Sequence, residues 1–281
     1  MANTDEAIAV ETLGPLTSEV QDGLDALVRQ SGWNQTAQDW AIFSREGTVS
    51  VVRDAQGRIL ASGAVLPHGA QVAWISMILV APELRGRGLG RAVFLHCLAL
   101  VKAAGRTACL DATPDGQRLY SQFGFAPVYG VTRWQRDARP QAASAARDPR
   151  LPDAQALAAL DAQALGAPRH ALLADFLARP DTVCVRSGEG FALVRRGSVA
   201  HQIGPLLALH EAGAAELMTR AVQGLAGQIF IDVPDERALL ARQLRDAGFT
   251  PQRSFMRMEL GEQPLRGQTH FIHAIAGPEF G

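Results

Sequence analysis

Apolar and polar residues alternate through three short runs between Thr48 and Val80. This period of two predicts strands at Thr48–Arg53, Ile59–Leu66 and Val72–Val80. Asp54-Ala55-Gln56-Gly57 and Pro67-His68-Gly69-Ala70 read as the turns between them, which makes His68 a solvated turn residue. Upstream, Ala7–Leu13 reads as a short strand. Thr17 caps a helix to Gln30 with Val20, Leu24, Leu27 and Val28 at helical spacing, and Thr36 caps a second helix, Ala37–Arg45. Beyond Val80 comes a turn of Arg and Gly, then a helix from Leu89 to about Gly105 that is apolar almost all round. A strand Ala108–Ala112, a helix Pro114–Phe123 and a strand Ala126–Trp134 complete this half. The first half thus runs β-α-α-β-β-β-α-β-α-β.

The stretch 139–152 is polar, alanine-rich and broken by prolines, and reads as a linker between a domain of residues 1–138 and one of residues 153–281. The second half predicts helices at Asp153–Leu160 and Arg169–Ala178, then strands at Thr182–Arg186, Gly190–Arg195 and Ser198–Leu207. A helix Glu211–Leu225, a strand Gln228–Val233, a helix Glu236–Ala247 and a strand Gln252–Leu260 complete it. The order of elements repeats. Leu110-Asp111-Ala112-Thr113-Pro114 through Gly124-Phe125 echoes Ile231-Asp232-Val233-Pro234-Asp235 through Gly248-Phe249, so an internal duplication of an α/β unit with a mixed sheet is expected.

A length of 281 residues suits two domains, each able to bury a core. With 27 basic and 28 acidic residues, balanced in each half, no basic surplus favours nucleic acid. Cys97, Cys109 and Cys184 are far apart and read as small buried hydrophobes. No basic leader or long apolar run is seen, so a soluble cytoplasmic protein is expected, without membrane partners.

The turn before Leu89 is an anion cradle. N–H groups at a helix start point at whatever the turn holds, Gly86, Gly88 and Gly90 clear side chains away, and Arg85, Arg87 and Arg91 add positive charge. Its spacing fails the dinucleotide fingerprint, since Arg91 or Val93 stands where Gly or Ala is needed, and it lacks the Lys-Ser or Lys-Thr of a Walker loop. It fits Arg-x-x-Gly-x-Gly through Arg85, Gly88 and Gly90. With this motif between strand and helix, and with Leu119-Tyr120-Ser121-Gln122-Phe123-Gly124-Phe125 downstream, the sequence resembles the GNAT superfamily of N-acetyltransferases over residues 7–137.

The resemblance implies two tandem GNAT-like domains and acetyl-CoA as co-substrate. It implies that Arg85, Gly86, Arg87, Gly88, Leu89, Gly90 and Arg91 bind the pyrophosphate. The backbone of Met77, Ile78, Leu79 and Val80 would pair with the pantetheine arm, and a bulge or splay there would offer N–H groups to the thioester oxygen. An amine attacks the thioester directly, and Tyr120 matches the residue that assists the departing sulfur, a role suited to a phenol with an ordinary pKa of about 10. The alternative for Tyr120 is a packing role. Asp111 either takes the amine proton through water, anchors the ammonium, or caps the helix at Pro114.

Trp33, Asn34, Gln35 and Trp40 fall where the fold places its acceptor wall, and Ser76 is either a substrate contact or a satisfied buried hydroxyl. The acceptor is expected to be a primary amine on a small molecule or peptide, and the protein a monomer or homodimer. The competing class is a non-catalytic acyl-CoA sensor or scaffold. In the second half, Ile203–Gly213 has no arginine and puts Glu211 at the helix start, where it would repel a pyrophosphate, and Leu244 stands where Tyr120 would be. The second half is therefore expected to be a degenerate copy. His210-Glu211 opens no metal motif and no Gly-x-Ser-x-Gly elbow occurs, so neither metal nor hydrolase chemistry is expected.

Overall fold

A computed structural model describes residues 8–138, 154–188, 190–262 and 264–281; the expected linker, 139–152, lies outside the described residues. The elements are, in order, β1 (Glu11–Thr12), α1 (Ser18–Gln30), α2 (Ala37–Glu46), β2 (Thr48–Arg53), β3 (Ile59–His68), β4 (Val72–Val80), α3 (Leu89–Ala103), β5 (Thr107–Ala112), α4 (Pro114–Ser121) and β6 (Ala126–Arg136). After the linker come α5 (Ala154–Leu165), α6 (His170–Ala178), β7 (Val183–Ser187), β8 (Gly190–Arg196), β9 (His201–Leu207), α7 (Glu211–Ala221), β10 (Ile229–Pro234), α8 (Ala238–Asp246), β11 (Thr250–Leu260) and β12 (Ile272–Ala274).

Local chemistry sets several boundaries. Thr17 Oγ1 accepts from the Val20 N–H at the start of α1, and at α2 the Thr36 N–H and hydroxyl both donate to Asp39. Thr113, not Asp111, caps α4: its Oγ1 accepts from the Gly116 N–H at 3.3 Å. β1 is shorter than its apolar run suggested, and Pro67 and His68 continue β3 instead of turning.

The chain divides into two compact units, residues 1–66 with 75–105 and residues 67–74 with 106–281, so β4 passes from one to the other after Trp74. In the first unit β1 pairs antiparallel with β2, and β2 with β3. Leu24, Leu27, Trp40, Phe43, Val51, Phe94 and Leu98 from helices and strands form its buried core.

The second unit is built on strand exchange. Val72–Trp74 run parallel to Thr107–Cys109. β5 is then flanked antiparallel by β11, β11 by β6, and β6 by β10, while β9 runs parallel to β10 and antiparallel to β8. The last strand of each sequence repeat, β6 or β11, thus pairs with the other repeat's β10 or β5. Among the described residues, no helix is long and apolar enough to cross a membrane.

Candidate active site

Within the first unit, β4 runs unbroken through Met77, the one non-glycine residue with positive φ among the described residues, at 56°. A left-handed conformation costs an L-residue roughly 1–2 kcal/mol. Met77 is nonetheless fully buried, and the Ser62 hydroxyl donates to its carbonyl at 3.0 Å. After Val80 the chain makes a short 3-10 turn at Pro82–Leu84 and enters α3 through Gly88, whose φ of 84° only glycine adopts cheaply. Arg85 is exposed; its Nε donates to Val80 O and its Nη2 to Ser31 Oγ, both at 3.4 Å. Gly86, Arg87, Gly88 and Arg91 are also exposed, Leu89 faces the core, and a Cβ at Gly90 would lie 3.2 Å from Val80 Cγ2. The cradle is therefore open to solvent, with its positive charge on the outside.

The expected acceptor residues of this unit are mostly interior. Trp33 is half-buried, and Asn34, Gln35, Trp40 and Ser76 are buried. Among the described residues, Gln35 Oε1, Trp40 Nε1 and Ser76 Oγ have no hydrogen-bond partner, which is uncommon for buried polar atoms.

Asp111 and Tyr120 belong to the second unit. Asp111 carries no free carboxylate oxygen: Arg257 on β11 holds both, at 2.9 and 2.8 Å, and the Asp111 side chain is 0% exposed. Burial pushes the Asp111 carboxyl above its ordinary pKa, against the pull of Arg257. The Arg257 guanidinium also donates to the Tyr129 hydroxyl and stacks on the rings of Trp74 and Tyr129, at 4.6 and 5.0 Å. Tyr120 is half-buried on α4, its ring 6.1 Å from that of Phe125.

Arg257 was not singled out from sequence, although the duplication pointed to it. It lies nine residues after Gly248, as Arg133 lies nine after Gly124. Arg133 forms the matching pair, holding Asp232 at 2.7 and 2.8 Å. His68, expected in solvent, is 1% exposed. Its neutral ring has one N–H, which we place on Nε2, 2.9 Å from Phe280 O, and burial together with the Arg169 charge lowers its pKa to about 4.

The second half also differs from expectation beyond Leu260. β9 and β10 pair in parallel only from His201 to Ile203 with Ile229 to Ile231. Past that point β12 joins β9, Ile272 facing Leu207 and Ala274 facing Leu206, and the Ile275 N–H donates to Asp232 O on β10 at 2.9 Å. The chain's own backbone fills the gap between the two strands. A Cβ at Gly204 would lie 2.0 Å from the Ile275 carbonyl oxygen. The segment continues to Trp74, whose Nε1 donates to Pro278 O at 3.1 Å. Only residues 208–210 separate β9 from α7, against 81–88 between β4 and α3. Among the described residues, no group of three or more His, Cys, Asp or Glu side chains could hold a metal ion.

Two family models, each described as an acetyltransferase (GNAT) domain, match residues 45–127 and 157–274. The chain belongs to the GNAT superfamily, as a tandem GNAT protein. It is an enzyme of the acetyltransferase type. Holothin acyltransferase of Pseudoalteromonas sp. (strain SANK 73390) is 28% identical over 239 residues, 79% of this chain and 78% of its own length. The uncharacterized N-acetyltransferase YitH of Bacillus subtilis (strain 168) is 27% identical over 252 residues, 85% of this chain and 88% of its own. In fold, the crystal structure of a putative acetyltransferase from Pyrococcus horikoshii superposes with a TM-score of 0.79 at 21% identity, covering 97% of this chain and 96% of that one. The left-handed Met77 and the Arg-Gly cradle belong to the first repeat, and β12 pairs with β9 in the second.

Proposed function

We propose that the first GNAT repeat, residues 1–138, transfers acetyl from acetyl-CoA to a primary amine of a small molecule or peptide by direct attack in a ternary complex. Residues 153–281 form a repeat that binds no coenzyme. The observation that carries this reading is the left-handed Met77 on the strand that leads, through residues 81–88, into the Gly88-capped helix. The Arg85 to Arg91 loop holds the pyrophosphate through helix N–H groups and exposed guanidinium groups, and the backbone of Met77–Val80 pairs with the pantetheine arm. The neutral amine nitrogen attacks the thioester carbon, the oxyanion takes a backbone hydrogen bond at Met77–Ile78, and the C–S bond breaks as Tyr120 gives the departing sulfur its proton. The proton shed by the amine nitrogen passes to water, from which the Tyr120 phenol is reprotonated.

Of the roles open to Asp111 we assign positioning: with both oxygens on Arg257, it fixes that side chain between Trp74 and Tyr129. The buried Gln35, Trp40 and Ser76 polar atoms, without a partner among the described residues, support placing the acceptor against the first repeat. The word acyltransferase in one relative's name makes the acyl chain a variable to test alongside the amine.

The test is thiol release from acetyl-CoA and longer acyl-CoAs across a panel of primary amines. Turnover with at least one amine is expected, and Tyr120→Phe should lower kcat about 100-fold with coenzyme affinity unchanged. No thiol release with any amine would overturn the proposal, and undiminished turnover by Tyr120→Phe would remove Tyr120 from the mechanism.

A further inference from the structure

We propose that Ser62 is the positioning residue for the oxyanion site: by holding the Met77 carbonyl, it aims the Ile78 N–H at the thioester oxygen. This rests on the acyl-transfer reading above. Ser62 lies on β3, is 0% exposed, and its hydroxyl donates to Met77 O at 3.0 Å. Met77 sits at φ 56°, so its peptide is turned out of regular strand geometry, and a side-chain hydroxyl satisfies its carbonyl. In a trans peptide the C=O and the following N–H point in opposite directions. With Met77 C=O directed at Ser62, the Ile78 N–H is directed away from it.

Ile78 is half-buried, whereas Met77 and Leu79 on either side of it are buried. An N–H fixed in place before the reaction stabilises developing negative charge without reorganisation, which is where such donors gain their effect. Ser62 touches neither coenzyme nor acceptor in this scheme. It removes the freedom of the 77–78 peptide to rotate, since a buried carbonyl that lost the Ser62 donor would turn to find another.

Binding and spectroscopy with acetyl-CoA and CoA alone test this without knowledge of the acceptor. Calorimetry on the full chain should show acetyl-CoA bound more tightly than CoA, and isotope-edited infrared spectra of acetyl-CoA labelled at the thioester carbonyl should show its stretch moved to lower frequency on binding. Ser62→Ala should bind CoA as before, lose the preference for acetyl-CoA and lose most of the shift; Ser62→Thr, which keeps the hydroxyl, should retain both. With a working acceptor, Ser62→Ala should lower kcat about tenfold and leave the KM for acetyl-CoA within about twofold, a tenth to a hundredth of the effect of deleting an oxyanion donor outright. Ser62→Cys, close in volume but a weak donor, should fall between, which covers the case in which Ser62→Ala fails to fold. A full carbonyl shift in Ser62→Ala or Ser62→Cys would overturn the role of Ser62 and leave the acyl-transfer reading standing; absence of any coenzyme binding by the unmodified chain would overturn both.

Discussion

Both repeats carry the same parallel ladder of three pairs, Val72–Trp74 with Thr107–Cys109 and His201–Ile203 with Ile229–Ile231. Beyond the third pair the two strands part ways. β4 goes on through the left-handed Met77 and into a loop with three arginines. β9 takes up β12, and its short connection to α7 offers Glu211 instead. A strand edge that accepts an extended ligand accepts a peptide by the same backbone bonds. The second repeat lacks both the charge to attract a pyrophosphate and a free edge to receive the arm behind it.

The pseudo-symmetric ion pairs offer the most severe way to break this comparison. Arg257→Met leaves the Asp111 carboxylate buried and without its cation, and Arg133→Met takes the cation from Asp232, which keeps the hydrogen bond from the Gln202 amide. Each should cost about 3–5 kcal/mol of unfolding free energy in urea titrations. Pairing Arg257→Met with Asp111→Leu should recover much of that loss. Equal stability of the single and double variants would show that the pairs are not coupled.

A smaller effect separates the two edges. Gly204→Ala drives a methyl group into the Ile275 carbonyl and should cost about 1–3 kcal/mol by overpacking. It should raise amide exchange at residues 272–276, while residues 77–80 keep their protection. Unchanged exchange at 272–276 would mean that β12 is not held where the structure places it.

The mildest test is pH. Folded His68 takes up a proton only near pH 4, whereas in the unfolded chain it does so near 6.5. The unfolded state therefore binds more protons between these values, and stability should fall as pH drops from 6.5 towards 4, by up to about 1.4 kcal/mol per pH unit from this residue. His68→Asn should flatten that part of the urea midpoint curve. A wild-type slope in the variant would show that His68 is not buried neutral.

The order of elements and the cradle were legible in the sequence because they rest on local rules. Threonine caps, period-two runs and glycine at a left-handed turn depend on neighbours a few residues away, and Thr17, Thr36 and Gly88 behave accordingly. The duplication was legible as well, through Gly124-Phe125 and Gly248-Phe249. Strand exchange was not, since nothing in β6 or β11 alone says which repeat's strand it will pair with. Asp111 consequently read as a base, an anchor or a cap, when its partner lay 146 residues away. His68 read as a turn because Pro67 and Gly69 are turn formers, while the carbonyl that buries it lies 212 residues away. β12, three residues long, is too short to announce itself by periodicity.

The central claim is that one of two similar strand edges takes the coenzyme, and titration calorimetry of the full chain with acetyl-CoA tests it most directly. One molecule bound per chain is expected, with binding weakened at least about 100-fold when Arg85, Arg87 and Arg91 are all replaced by alanine. Two molecules per chain, or one that binds equally well after those replacements, would contradict it.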